Sequence, residues 1–138
     1  MKKNIEYQVG LNGIEVDQLN GFFVGWPNPP SKEVFYKLLE QSYTAVIAVH
    51  QNKVIGFITA ISDGILSAYI PLLEVLPEYQ SSGVGSELVK KVKNELKHLY
   101  MIDVICDENL VPYYEKQGLT KSYGAILRNY ENQNGEVS

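Results

Sequence analysis

The stretch from Val75 to Leu99 leaves this chain few ways to fold. The apolar segment Tyr69 to Leu76 reads as the end of a strand, and Gln80-Ser81-Ser82-Gly83-Val84-Gly85-Ser86 reads as a turn. Leu88, Val92, Leu96 and Leu99 then recur at helical spacing, with Val89 beside them. Glu87, Lys90, Lys91, Asn94 and Lys97 fall on the opposite face, which predicts an amphipathic helix with one buried stripe. A strand, a glycine turn and a helix in direct succession make an anion site. The first helical turn has N–H groups without intrahelical partners, and the dipole makes that end positive. Gly83 and Gly85 let a phosphate approach the backbone, and Gln80, Ser81, Ser82 and Ser86 add neutral donors. The triphosphate loop Gly-x-x-x-x-Gly-Lys-Ser/Thr and the dinucleotide fingerprint Gly-x-Gly-x-x-Gly are both absent, which argues against those two ligand classes.

At 138 residues the chain is long enough for one domain with a real core. The expectation is a single domain over 1–130 and a polar, frayed tail over 131–138. A net charge of -4 with no basic stripe argues against nucleic acid as a partner. No apolar run approaches membrane-spanning length, and Met1-Lys2-Lys3-Asn4 lacks the apolar core of a signal peptide, so a cytoplasmic location is expected. The single cysteine, Cys106, excludes an intrachain disulfide and a multi-cysteine metal site. His50 and His98 have no ligand partner at useful spacing; both are expected at the surface, and no metal is expected.

Along the chain, Ile5 to Val9 alternates like a short strand. Ile14 to Phe23 reads as a helical or irregular segment, and Ser31 as the N-cap of a helix ending near Gln41. Thr44 to Val49 and Val54 to Ile61 form a predicted hairpin, and a turn at Ser62-Asp63-Gly64 leads into a third strand, Ile65 to Leu76. Pro71 inside that strand predicts a bulge or a loss of pairing. Met101 to Cys106 is the next strand, Asp107 to Gln117 a short helix, and Thr120 to Tyr123 with Ala125 to Asn129 a final strand pair around Gly124. The order is β-α-α-β-β-β-α-β-α-β-β.

Gln80-x-x-Gly83-x-Gly85 resembles the acetyl-CoA motif of the GNAT superfamily of N-acetyltransferases, Gln/Arg-x-x-Gly-x-Gly/Ala, which there follows a Val-x-Pro strand end like Val75-Leu76-Pro77. Tyr113-Tyr114-Glu115-Lys116-Gln117-Gly118-Leu119 resembles that family's Leu/Phe-Tyr-x-x-x-Gly-Phe segment, with Leu119 in place of the phenylalanine. The likeness covers roughly Ile5 to Asn129. It implies an α/β (α+β) GNAT fold: a mixed, mostly antiparallel sheet of six to seven strands, about four flanking helices, and parallel fourth and fifth strands that splay apart around the cosubstrate.

The resemblance implies acetyl-CoA as cosubstrate, contacted by Gln80, Ser81, Ser82, Gly83, Val84, Gly85 and Ser86, and by Val75 and Leu76 through main chain, like an added strand. The family often has an asparagine seven residues before its tyrosine; here Asn109 stands five before Tyr114. Tyr114 takes the family's general-acid position, since a leaving thiolate needs a positioned O–H donor. Tyr113 is expected to pack. Some members carry a glutamate base on the fourth strand. Counted back from Gln80 that position is Tyr69, while Glu74, the acid within the strand, has opposite parity and is expected on the other face. Glu74 and a water chain remain the two candidates for the base. Phe22, Phe23 and Trp26, with Tyr69 and Arg128, are the acceptor-pocket candidates; an aromatic wall suits an ammonium. The expected activity is direct acetyl transfer to a primary amine of a small molecule or peptide. The alternative is a catalytically silent CoA-binding sensor or regulatory domain. Dimers are common in the family, so the resemblance allows a homodimer and leaves the oligomeric state open.

Overall fold

The computed structural model describes residues 4–136, which form an open six-stranded sheet with three α-helices. The elements are β1 (Glu6–Val9), α1 (Lys32–Gln41), β2 (Thr44–His50), β3 (Lys53–Ser62), β4 (Ser67–Ile70), β5 (Leu73–Val75), α2 (Val84–Glu95), β6 (Met101–Val104) and α3 (Val111–Lys116). Strands β1 to β4 run antiparallel to their neighbours in succession, β5 also pairs β3, and β6 pairs β4 in parallel. The predicted architecture is therefore present, with three α-helices rather than four. The Ile14 to Phe23 segment forms only a short 3-10 turn, Val16–Gln18, because two glycines at positive φ, Gly13 and Gly21, bound it.

The central strands β2 and β3 are buried on both faces. On one face α2 inserts Val84, Leu88, Val89 and Val92 against Val46, Ile58 and Ile70. Each such fully buried aliphatic side chain contributes about 1.5–3 kcal/mol. On the other face α1 sets Phe35 and Leu39 against Ile47, Val54 and Phe57. Gly56 brings α2 close to the sheet: a Cβ there would lie 3.2 Å from both Leu88 and Val84. The Ser31 hydroxyl accepts the Val34 N–H at 3.1 Å and caps α1, as its sequence position predicts. In the β2–β3 hairpin, Gln51 and Asn52 both take positive φ, the signature of a tight two-residue turn. In the next turn an Asp63 carboxylate oxygen accepts the N–H groups of Ile65, Leu66 and Ser67, which hold its carboxyl below the usual range.

Pro71 breaks the third predicted strand as expected and divides it into β4 and β5. Tyr69 pairs with Ile61, whereas Leu73 pairs with Ile58, so the register against β3 slips by one residue across Pro71 and Leu72. One extra residue on one strand is a β-bulge. The slip corrects the expected parity of Glu74. Tyr69 lies opposite Ile61 and Glu74 opposite Phe57, two residues on the same face of β3, so Tyr69 and Glu74 share the α1 face.

Two expectations fail at the C-terminus. The last strand pair, Thr120 to Tyr123 and Ala125 to Asn129, does not form: 119–129 has no regular secondary structure and lies outside the sheet. The tail that follows is docked through its described part. A 3-10 turn covers Tyr130–Asn132, the Asn28 N–H donates to Gln133 Oε1 at 2.9 Å, and Gly135 packs against Val34. No helix among the described residues is long and apolar enough to cross a membrane.

Candidate active site

The splay of the sheet makes the site. Strands β4 and β6 stay paired from Ser67 and Met101 to Ile70 and Val104. Beyond Pro71 the pairing stops, and β5 keeps only β3 as a neighbour. The Leu72 carbonyl and the Leu76 N–H bond to Thr59 and Ile55 of β3, at 3.0 and 2.9 Å. Antiparallel alternation therefore turns the main-chain groups of Leu73 and Val75 outward, into the gap. This corrects the expectation for Leu76. Its N–H is held by Ile55, its carbonyl accepts the Tyr79 N–H at 2.9 Å, and its side chain is buried. Leu73, two residues before Val75 on the same strand, presents its main chain to the gap in place of Leu76.

At one end of the gap lies the glycine turn. Gly83 is the N-cap of α2 at φ 85°, and no side chain caps this helix end. Ser81 precedes it at φ 67°, a conformation that costs a non-glycine residue energy. A Cβ at Gly83 would meet nothing within 4 Å, so the space in front of the first turn is open. The N–H groups of Val84, Gly85 and Ser86 belong to that turn and have no intrahelical acceptor. Gln80 is tied to the strand it follows, its side-chain amide donating to the Val75 carbonyl at 3.0 Å. Ser82 donates to the Tyr79 carbonyl, and the Ser86 hydroxyl accepts from the Gln117 amide at 3.0 Å. The side chains of Gln80, Ser82 and Ser86 thus brace the turn, and its free donors are backbone N–H groups.

Helix α3 crosses toward the same turn. The Tyr113 hydroxyl lies 3.0 Å from where a Gly85 Cβ would stand, so the missing side chain makes room for it. Tyr113 packs against the core as expected, and its hydroxyl also reaches the first turn of α2. The Tyr113 and Tyr114 rings meet edge-on, with centroids 5.2 Å apart. Tyr114 borders a cavity of about 330 Å³ with Val104, Ile105, Cys106, Leu119 and Ile126. Its hydroxyl has no hydrogen-bond partner among the described residues. Burial, with smaller contributions from Tyr113 and Cys106, pushes its pKa up to about 12. The phenol therefore stays protonated across the physiological range and keeps its proton to donate.

The acceptor candidates separate into core and surface. Phe23 is buried, edge-on to Phe35 and close to Phe57, so it belongs to the core rather than to an open pocket wall. Phe22 is half-buried against the same two rings and borders a cavity of about 300 Å³ with Phe23, Pro30 and Lys32. Trp26 keeps a free edge beside Phe23. Glu74 points to this side and is engaged: its carboxylate accepts the N–H groups of Phe23 at 2.8 Å and Val24 at 3.2 Å. Arg128 lies in the extended segment and makes no ion pair among the described residues. Asn109 is exposed in the 3-10 turn Glu108–Leu110. His50 is half-buried and shares a 2.6 Å hydrogen bond with the Tyr79 hydroxyl, a correction to its expected surface position. No group of three or more His, Cys, Asp or Glu among the described residues could hold a metal ion.

The family model for the GNAT acetyltransferase domain matches residues 24–129. An uncharacterised N-acetyltransferase, ycf52-like, from Prochlorococcus marinus is 32% identical over 116 residues, which is 80% of this chain and 63% of that protein. The ycf52 protein of Gracilaria tenuistipitata is 30% identical over 100 residues, 69% of this chain and 55% of its own length. The chain thus spans less than two thirds of these curated relatives. Among solved structures, one assigned as an acetyltransferase from Deinococcus radiodurans R1 is 45% identical, with a TM-score of 0.95 over 100% of both chains, the 119–129 segment included. A GNAT-family protein from Streptococcus pneumoniae TIGR4 is 26% identical, with a TM-score of 0.74 over 91% of this chain and 98% of that one.

Proposed function

This chain belongs to the GNAT acetyltransferase family, and from that premise we propose that it transfers an acetyl group from acetyl-CoA to a primary amine. The observation that carries the reading is the splay gap, with an open, uncapped helix N-terminus at one end and the Tyr113 hydroxyl against its first turn, Tyr114 with its protonated phenol standing next to Tyr113 on α3. The residues present fit acetyl-CoA. The cradle at Gly83 is empty of side chains and lined by free N–H groups, which suits a pyrophosphate. The outward main-chain groups of Leu73 and the outward N–H of Val75 suit the amide-bearing pantetheine arm, the Val75 carbonyl being taken by Gln80. When bound, acetyl-CoA supplies an activated thioester carbonyl.

The remaining work falls to this chain's own residues. The N–H groups of Val84, Gly85 and Ser86 fix one end of the cosubstrate, with the Tyr113 hydroxyl beside them. The Tyr114 hydroxyl donates a hydrogen bond where negative charge develops on the leaving sulfur. A phenol at about 12 is a weaker acid than a thiol at about 8.5 by roughly three powers of ten, so it stabilises the thiolate more than it surrenders a proton to it. The charge is then neutralised with the proton released by the attacking amine. Because Glu74 is committed to two backbone donors, that proton leaves through solvent. Tyr69 and Glu74 share the face that carries Phe22 and Trp26, and this face is the proposed acceptor side. The acceptor is a small-molecule or peptide amine, and the setting is cytoplasmic.

The test is thiol release from acetyl-CoA in the presence of a panel of amines, alongside thermal melts with acetyl-CoA. Amine-dependent release and a raised melting temperature are expected. A raised melting temperature with no release from any amine would leave binding and overturn transfer.

A further inference from the structure

Given the acetyl-CoA reading of the glycine turn, on which this rests, we propose that His50 is a positioning residue for the cosubstrate. It acts through Tyr79 to hold the turn in the form that offers the first N–H groups of α2 to a pyrophosphate. His50 is the last residue of β2 and stands half-buried at the β2–β3 hairpin. Its Nδ1 lies 2.6 Å from the Tyr79 hydroxyl, and the two rings meet edge-on with centroids 5.4 Å apart. A phenol and an imidazole nitrogen can each donate or accept, so the bond forms with the ring in either tautomer. Tyr79 is buried in the core cluster that holds Val46, Val84 and Leu88. A buried phenol needs a partner for its hydroxyl, and His50 supplies one.

The turn needs a brace. Ser81 sits at φ 67°, a conformation that persists in a non-glycine residue where the surroundings hold it. The ties on either side of Ser81 are local. The Gln80 amide donates to the Val75 carbonyl at 3.0 Å, and the Ser82 hydroxyl donates to the Tyr79 carbonyl. Both close small rings within 75–82, so they shape the turn without fixing where it stands. Tyr79 joins the turn to the rest of the fold. Its N–H bonds to the Leu76 carbonyl at 2.9 Å, its carbonyl takes Ser82, its ring enters the core, and its hydroxyl meets the hairpin twenty-nine positions earlier in the chain. Without the His50 bond the ring stays packed but gains freedom to shift, and Ser82, seated on the Tyr79 carbonyl, moves with it. Gly83, the N-cap of α2, follows directly. A shift at Tyr79 therefore re-aims the N–H groups of Val84, Gly85 and Ser86, and an anion bound by several converging donors is sensitive to their aim.

The experiment compares His50→Ala, Tyr79→Phe and His50→Asn in the full chain. Tyr79→Phe keeps the ring and its packing, and His50→Asn sets a side-chain amide atom where Nδ1 stands. The readouts are titration calorimetry with acetyl-CoA, and amide exchange of Tyr79, Gln80 and Glu87 in the ligand-free protein, whose N–H groups bond to Leu76, Pro77 and Gly83. His50→Ala and Tyr79→Phe are each expected to weaken acetyl-CoA by about fivefold, the worth of one hydrogen bond, and to speed exchange at those three amides. The double variant should be no weaker than either single one, because both remove the same bond. His50→Asn should restore affinity and exchange. The KM for acetyl-CoA should rise while kcat at saturating acetyl-CoA stays near wild type. Unchanged affinity in His50→Ala and Tyr79→Phe, with Gly83→Asp still weakening acetyl-CoA, overturns the role of His50 and leaves the cradle standing. So does a loss in His50→Ala that Tyr79→Phe does not share, and so does a loss that His50→Asn fails to restore. A wild type that does not bind acetyl-CoA overturns the cradle itself, and the role of His50 with it.

Discussion

The Glu74 carboxylate accepts the Phe23 N–H at 2.8 Å, joining β5 to a loop fifty-one positions earlier in the chain. Phe23 sits at φ 62°, between Gly21 at 88° and Gly25 at 83°, so the loop holds a conformation that its own backbone does not favour. The same carboxylate reaches Val24 at 3.2 Å. Glu74 thus shapes the ground beside Phe22 and Trp26. Glu74→Ala is expected to lower stability by about 1–3 kcal/mol, through unpaired backbone donors, and to raise the acceptor KM more than it lowers kcat. Thermal melts beside steady-state kinetics check this. A full loss of kcat at an unchanged melting temperature would make Glu74 a base instead.

Gly83 offers a separable test of the anion cradle. A side chain here meets open space, so its cost is mainly the positive φ, about 1–2 kcal/mol of stability for Gly83→Ala. Gly83→Asp adds a negative charge where the pyrophosphate is proposed to sit. Titration calorimetry should show acetyl-CoA affinity at least about tenfold weaker for the aspartate, roughly 1.4 kcal/mol. Equal affinities for the two variants would move the cosubstrate elsewhere.

The tyrosine pair divides binding from chemistry. Tyr114→Phe keeps the ring contact with Tyr113 and deletes a hydroxyl that has no partner among the described residues, so stability should hold. kcat is expected to fall about 10²–10⁴-fold. Tyr113→Phe removes the hydroxyl against Gly85 and should raise the acetyl-CoA KM while kcat stays near wild type. Reversed phenotypes would exchange the two roles.

The raised pKa of Tyr114 fixes a pH signature. Below about pH 10 the phenol is neutral in both folded and unfolded chains, and the group makes stability independent of pH. Between about 10 and 12 the unfolded chain ionises and the folded one does not, so stability falls across that window as pH rises. Spectrophotometric titration of the wild type against Tyr114→Phe should place the lost tyrosine near 12, and kcat should show no descending limb near 10. A difference titration centred on 10 would contradict the burial of this hydroxyl.

Local patterns made much of this fold legible. The helical stripe of Leu88, Val92 and Leu96, the cap at Ser31 and the break at Pro71 all follow from spacing or from one residue's chemistry. What spacing could not supply was the size of the break. A slip of one residue at Pro71 turns Glu74 onto the face of Tyr69. Parity counting assumes an unbroken pleat, and one inserted residue inverts every assignment beyond it. The strand signal at Ala125 to Asn129 illustrates a different limit. Propensity marks a segment as suited to pairing, but pairing also needs a partner in register, and residues 119–129 enter no ladder of this sheet.

Gly56 faces Leu88 and Val84 with no side chain of its own, and it pairs with Val75. One absent methyl therefore sets the clearance between the helix whose tip is to grip the phosphates and the strand whose edge is to guide the thioester arm. A bulkier residue here presses on Leu88 and Val84, so Gly56→Val is expected to shift α2 relative to β5 and to weaken acetyl-CoA binding at the proposed cradle.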